Sequence, residues 1–125
     1  MRPQTLAEVA ECVRRGDSFD MSLKNFLDEF RRSPSAASLE MEPGLLRGLV
    51  DQGDLIDAYL AATADYLSLE HGMPEPAWAR DEDRKLHRPW FALPWAGMRA
   101  VLLLESPGPF RSRNLFVSAN ALNRA

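Results

Sequence analysis

Four prolines and three tryptophans fall within the stretch MPEPAWARDEDRKLHRPWFALPW, residues 73–95. Pro74, Pro76, Pro89 and Pro94 each remove a backbone donor and bias the preceding residue toward extended geometry, so no long helix can run through this segment. Trp78, Trp90 and Trp95 carry too much apolar surface to be left in water, so the same segment must be packed down. These two demands predict an irregular strap over residues 73–94 that wraps a core built from the rest of the chain. A brief helical turn is expected near Asp81–Leu86.

The residues before the strap supply that core. Thr5 and Glu8 stand at the spacing of a capping box, in which each side chain satisfies a free amide at a helix start. Leu6, Val9, Ala10 and Val13 follow on one face, and Gly16 suits the left-handed turn that ends the helix. Phe19, Leu23, Phe26, Leu27 and Phe30 form a second apolar stripe. Ser18 or Asp20 is placed to cap it, and Arg31 and Arg32 lie at its negative end.

SPSAASLEMEPG reads as a connector with room for one helical turn. A short helix is expected over Leu45–Val50. Asp54 then opens the most clearly signalled helix, with Asp57 at the third helical position and Gly72 as its C-cap. Leu55, Ile56, Tyr59, Ala62, Thr63, Tyr66 and Leu67 are expected on its buried side.

After the strap, Pro94 suits the first position of another helix, and Trp95, Met98, Val101, Leu102 and Glu105 keep helical spacing. RAVLLLE is also compatible with a buried strand, because a short apolar run does not decide between the two. Helix is the favoured reading, since only LFVS at Leu115–Ser118 is otherwise strand-like. Ser106 before Pro107 reads as an N-cap opening a short corner helix. Glu105 is expected to pair with Arg111 and Arg113 across that corner, with Asn114 capping a turn or bonding to backbone. The fold class is therefore all-α: a compact single-domain bundle of about five to six helices, residues 1–125, with one irregular Pro/Trp-rich segment.

A net charge of −3 on 125 residues gives no general attraction to nucleic acid or to an anionic membrane. No apolar run approaches the roughly twenty residues of a membrane span, and charges within the first eight residues argue against a secretory leader. A cytoplasmic location is expected. The one cysteine, Cys12, is expected as a packed small residue in the first helix.

Catalytic chemistry is hard to assemble from these residues. His71 and His87 are the only histidines, and no ligand spacing typical of zinc or calcium surrounds them. Glycine-rich phosphate loops and a serine nucleophile elbow are both missing. No catalytic residue, cofactor or metal is assigned. The first two helices are joined by a glycine as in a helix–turn–helix, but Asp20, Asp28 and Glu29 on the second argue against nucleic acid as a partner.

P-x-P-x-W at Pro74–Trp78, R-P-W-F at Arg88–Phe91 and E-S-P-x-x-F-R-x-R-N-[IL]-F-V at Glu105–Val117 together resemble a family of small bacterial proteins. In some relatives the module follows a Cro/C1-type helix–turn–helix, and the genes neighbour nucleotidyltransferase-like toxin genes. The resemblance covers Leu55 to Ala125. It implies an antitoxin-like, partner-binding member of a two-gene system, with a nucleotidyltransferase-like toxin as protein partner and no catalytic residues to transfer. No helix–turn–helix is expected ahead of Thr5 here, because there is no room for one before that residue.

Three functions are thus weighed. The first is a non-enzymatic interaction module using Trp78, Trp90 and Trp95, with self-association left open. The second is an anion binder or enzyme using Glu105, Arg111, Arg113 and Asn114, walled by Arg88 and Trp90. The third is a DNA-binding regulator through the N-terminal helices. The first is favoured.

Overall fold

The computed structural model describes residues 2–92 and 96–122 and is all-α. In chain order it contains α1 (Leu6–Arg14), α2 (Phe19–Arg32), α3 (Ala37–Glu40), α4 (Gly53–His71), β1 (Trp90–Phe91), α5 (Ala96–Glu105), α6 (Gly108–Arg111) and β2 (Leu115–Phe116). Two 3₁₀ turns, Ala77–Arg80 and Glu82–Arg84, lie between α4 and β1. Among the described residues, no helix is long and apolar enough to cross a membrane.

The N-terminal hairpin follows its local signals. The Glu8 amide donates to Thr5 Oγ1 at 3.1 Å, while Glu8 Oε1 accepts from the Gln4 amide at 2.7 Å. This is the capping box with its return bond displaced by one residue. Gly16 ends α1 at φ 109°. Ser18 then caps α2 through the Met21 amide. Leu23, Phe26, Leu27 and Phe30 are buried in the core, where α2 packs on α1, and each contributes about 1.5–3 kcal/mol by leaving water. Cys12 is buried as a free thiol.

Helix α4 runs through the middle. Ile56, Ala58, Leu60, Ala61, Ala62, Thr63, Ala64 and Leu67 are all buried, so burial surrounds the helix where the sequence suggested one face. Its four alanines leave room for neighbours on every side: the strap's 3₁₀ turns and α6 pack against it. Edge-on rings tie the layers together, with Phe19 to Tyr59 at 5.6 Å and Tyr59 to Phe110 at 5.0 Å. Gly72 caps the helix at φ 64° as its position implies.

The expected helix over Leu45–Val50 is absent; this segment forms turns instead. Its amides are claimed from outside, because Asp57 Oδ1 and Oδ2 accept from the Leu46 and Arg47 nitrogens at 2.8 and 3.1 Å. Gly48, at φ 77°, breaks the helical path as well. Asp57 therefore serves this loop and does not cap α4, which begins earlier, at Gly53, behind a left-handed Gln52.

The strap is irregular as its prolines require. It ends in a two-residue parallel pairing of β1 with β2, Trp90 opposite Leu115 and Phe91 opposite Phe116. Residues 100–105 are helical, which settles the helix-or-strand alternative.

Candidate interaction surface

The corner after α5 is built from internal bonds. Ser106 is buried and its hydroxyl accepts from the Val117 amide at 2.8 Å, with the carbonyl oxygens of Leu102 and Val117 also in reach. It staples the end of α5 to the chain after β2, and Pro107 takes the N-cap position of α6. Ser106 is thus not the cap its position suggested.

Glu105 does not pair with either arginine. Its carboxylate accepts from the Ala119 amide at 3.2 Å. Arg113 turns away from it into the fold: Nη1 donates to Asp65 Oδ2 at 2.9 Å and Pro109 O at 2.7 Å, and Nη2 donates to Ala79 O at 2.8 Å. Glu75 stands 3.5 Å from Nη2 and is shared with Arg80. The single turn of α6 carries Arg113 onto α4, whereas Glu105 stays exposed at the end of α5. Arg111 is exposed and makes no ion pair among the described residues. Asn114, left-handed at φ 64°, donates from Nδ2 to Leu86 O at 2.7 Å and accepts from the Trp90 amide through its own carbonyl at 2.9 Å. It bonds backbone, as expected, and aligns the strap with β2.

The tryptophans separate into different roles. Trp78 is buried, its Nε1 donating to Leu39 O at 3.0 Å, with the Arg84 guanidinium 5.0 Å above its ring. It is committed to the core and is unavailable as a partner anchor. Trp90 is half-buried and walls a groove of about 300 Å³ that it shares with Phe19, Leu23, Leu55 and Tyr59. Arg88 beside it is exposed. Trp95, with Pro94, lies outside the described residues.

Against the Trp78 ring sits a buried ionic group that the sequence reading missed. Arg84 and Asp57 are both fully buried with their charged atoms 3.7 Å apart, and Arg84 also donates to Pro43 O and reaches Glu42 at 3.4 Å. Burial raises the Asp57 pKa above the ordinary carboxylate value, opposed by the two amides and Arg84. Arg84 lay inside the mixed-charge run DEDRK, which gives no sign that one member turns inward.

The described apolar side chains of α5 make the most unusual surface. Leu102 is 1% exposed, whereas Val101 is 42%, Leu103 45% and Leu104 83% exposed. At about 100° per residue, Leu104 lies opposite Leu102 with Val101 and Leu103 flanking it. The exposed side chains thus form one apolar face. The helix rests on the β1–β2 ribbon, where Phe91 stacks on Phe116 at 5.0 Å and Arg99 lies 5.1 Å over the Phe91 ring. The signal was present in the sequence: four consecutive apolar residues in a helix cannot all face one core.

No protein-family profile, curated protein or solved structure matches this chain.

Proposed function

We propose that this chain is a non-enzymatic protein-interaction module, the antitoxin-like member of a bacterial two-gene system, and that α5 is its partner-binding helix. The observation that carries the reading is the apolar face of Val101, Leu103 and Leu104. Each such side chain gains about 1.5–3 kcal/mol when a partner covers it fully. Arg99, Glu105 and Arg111 are exposed and are suited to setting register around an apolar centre. The resemblance at Glu105–Val117 supplies the partner, a nucleotidyltransferase-like toxin, and a cytoplasmic setting.

The use of Arg113 and Asn114 in internal bonds supports the same reading over an anion site or enzyme at the corner. A guanidinium already held by two carboxylates and two carbonyls has little left for a ligand. DNA binding through α2 gains no support either, since along it Asp20 pairs with Lys24 and Glu29 pairs with Arg2 and Arg32.

The test is co-expression with the product of the adjacent gene, followed by affinity capture. A stoichiometric complex is expected with the native chain and its loss with Leu104→Asp. That variant should retain native stability within about 0.5 kcal/mol, because the position is exposed. Failure to capture a partner, or equal capture by both chains, would overturn the proposal.

A further inference from the structure

Away from α5, the groove beside Trp90 continues into a longer trough. Its first part, about 300 Å³, has apolar walls from Phe19, Leu23, Leu55 and Tyr59. Trp90, Leu55 and Gln52 also line the next part, of about 400 Å³, which adds Leu86, His87 and Arg88. Leu86 and His87 are shared again with a third part, of about 300 Å³, which adds Arg47 and Lys85. The three hollows adjoin through these shared residues and pass from an apolar end to a basic end.

The charges along it are uneven. Within the apolar end, Lys24 is neutralised by Asp20 at 3.0 Å. Toward the other end, among the described residues, Arg47, Lys85 and Arg88 face one lining carboxylate, Asp54. Arg88 is exposed and has no ion pair among the described residues. Arg47 contacts Asp83 through its carboxylate at 3.6 Å and its carbonyl oxygen at 3.4 Å, Lys85 contacts Glu82 at 3.5 Å, and all four side chains are exposed. Such exposed pairs are weak and screened, so both cations can turn to a ligand. In a chain whose net charge is negative, this concentration of positive charge beside an apolar groove has a specific chemical complement.

We propose that the trough binds a free single-chain amphiphilic anion. Its apolar tail lies between Phe19, Tyr59 and Trp90, and its phosphate or carboxylate head meets Arg88, Lys85 and Arg47. Apolar walls with a few charged groups at one end are the usual composition of a small-molecule site. The α5 face does not line the trough, so the inference does not rest on the partner-binding role.

Octyl phosphate is the probe, with octanol and inorganic phosphate as its separate halves and phosphatidylglycerol vesicles as the bilayer source. Calorimetry should show saturable octyl phosphate binding at least about tenfold tighter than either half. Amide shift changes should follow residues 19–24, 47–59 and 85–90. Arg88→Glu combined with Lys85→Glu, both exposed enough to leave the fold intact, should abolish the advantage over octanol. Leu104→Asp should leave octyl phosphate binding unchanged, which separates this site from the partner surface. Equal affinity for octyl phosphate and octanol, shift changes centred on α5, or binding to vesicles without binding to the free amphiphile would each overturn the inference.

Discussion

Arg113 and Asp65 are 48 positions apart in the chain and meet at 2.9 Å. The contact fastens the turn after α6 to the middle of α4. The remaining guanidinium bonds reach Ala79 and Pro109, so one side chain joins the central helix, the strap and the C-terminal corner.

Removing that side chain leaves the mostly buried Asp65 without its cation and the Ala79 and Pro109 carbonyls short of a donor, while Glu75 keeps Arg80. Arg113→Ala should lose about 3–5 kcal/mol of unfolding free energy. Arg113→Lys, which keeps the charge but loses the planar fork, should recover only part of it. Urea unfolding followed by circular dichroism measures both.

Asp57 is the second tie. Asp57→Ala orphans the Leu46 and Arg47 amides and leaves Arg84 without its buried counter-charge, for an expected loss of about 3 kcal/mol or more. Asp57→Asn should cost less than alanine, since its single amide oxygen can still accept from one of the two nitrogens and its burial is cheaper, although its NH2 then faces the other donor. Because the folded pKa of Asp57 is raised, its protonation contributes stability that is complete below the ordinary value and fades as pH rises through the raised one. Asp57→Asn should remove that slope from an acid titration of stability.

At Gly53 an added Cβ would collide with the carbonyl group of Leu46. That carbonyl belongs to the same loop Asp57 holds, so it cannot easily move. Gly53→Ala should destabilise by about 1–3 kcal/mol although alanine is the better helix former. At Gly44, which has open space, the same substitution should stay within about 0.5 kcal/mol. Parallel thermal melts compare the two.

Burial, with a contribution from the charge of Asp20, pushes the Tyr59 pKa up from 10.0 to about 12. An unfolded tyrosine ionises first, so the stability this group contributes is intact below pH 10 and is lost as pH rises toward 12. By pH 12 the loss should reach about 2 kcal/mol. Tyr59→Phe should therefore unfold less steeply than the native chain in alkaline urea titrations, and equal slopes would contradict the assignment.

The sequence was most informative where neighbours within one turn decide the outcome. Thr5, Ser18, Gly16 and Gly72 bound their helices through contacts a few residues long, so α1, α2 and the end of α4 were legible. Leu45–Val50 was misread because its amides answer to a carboxylate on another element. Ser106 was misread as a cap for the same kind of reason: its hydroxyl is taken by backbone at Leu102 and Val117. The candidate surface was only half legible. Arg88 and Trp90 stand at the basic trough, but Trp78 is used in the core, and the exposed Leu103 and Leu104 of α5 were assigned no role from the sequence.

Helical periodicity, caps and prolines determined on their own that this chain would be a helical bundle with an irregular aromatic strap, since those signals act through local backbone geometry. The tertiary structure alone decided which charges pair and which apolar residues remain in water. Both depend on distances between segments far apart in sequence: Arg113 chooses Asp65 over Glu105, and Leu104 faces outward, because of where α4 and the β1–β2 ribbon lie.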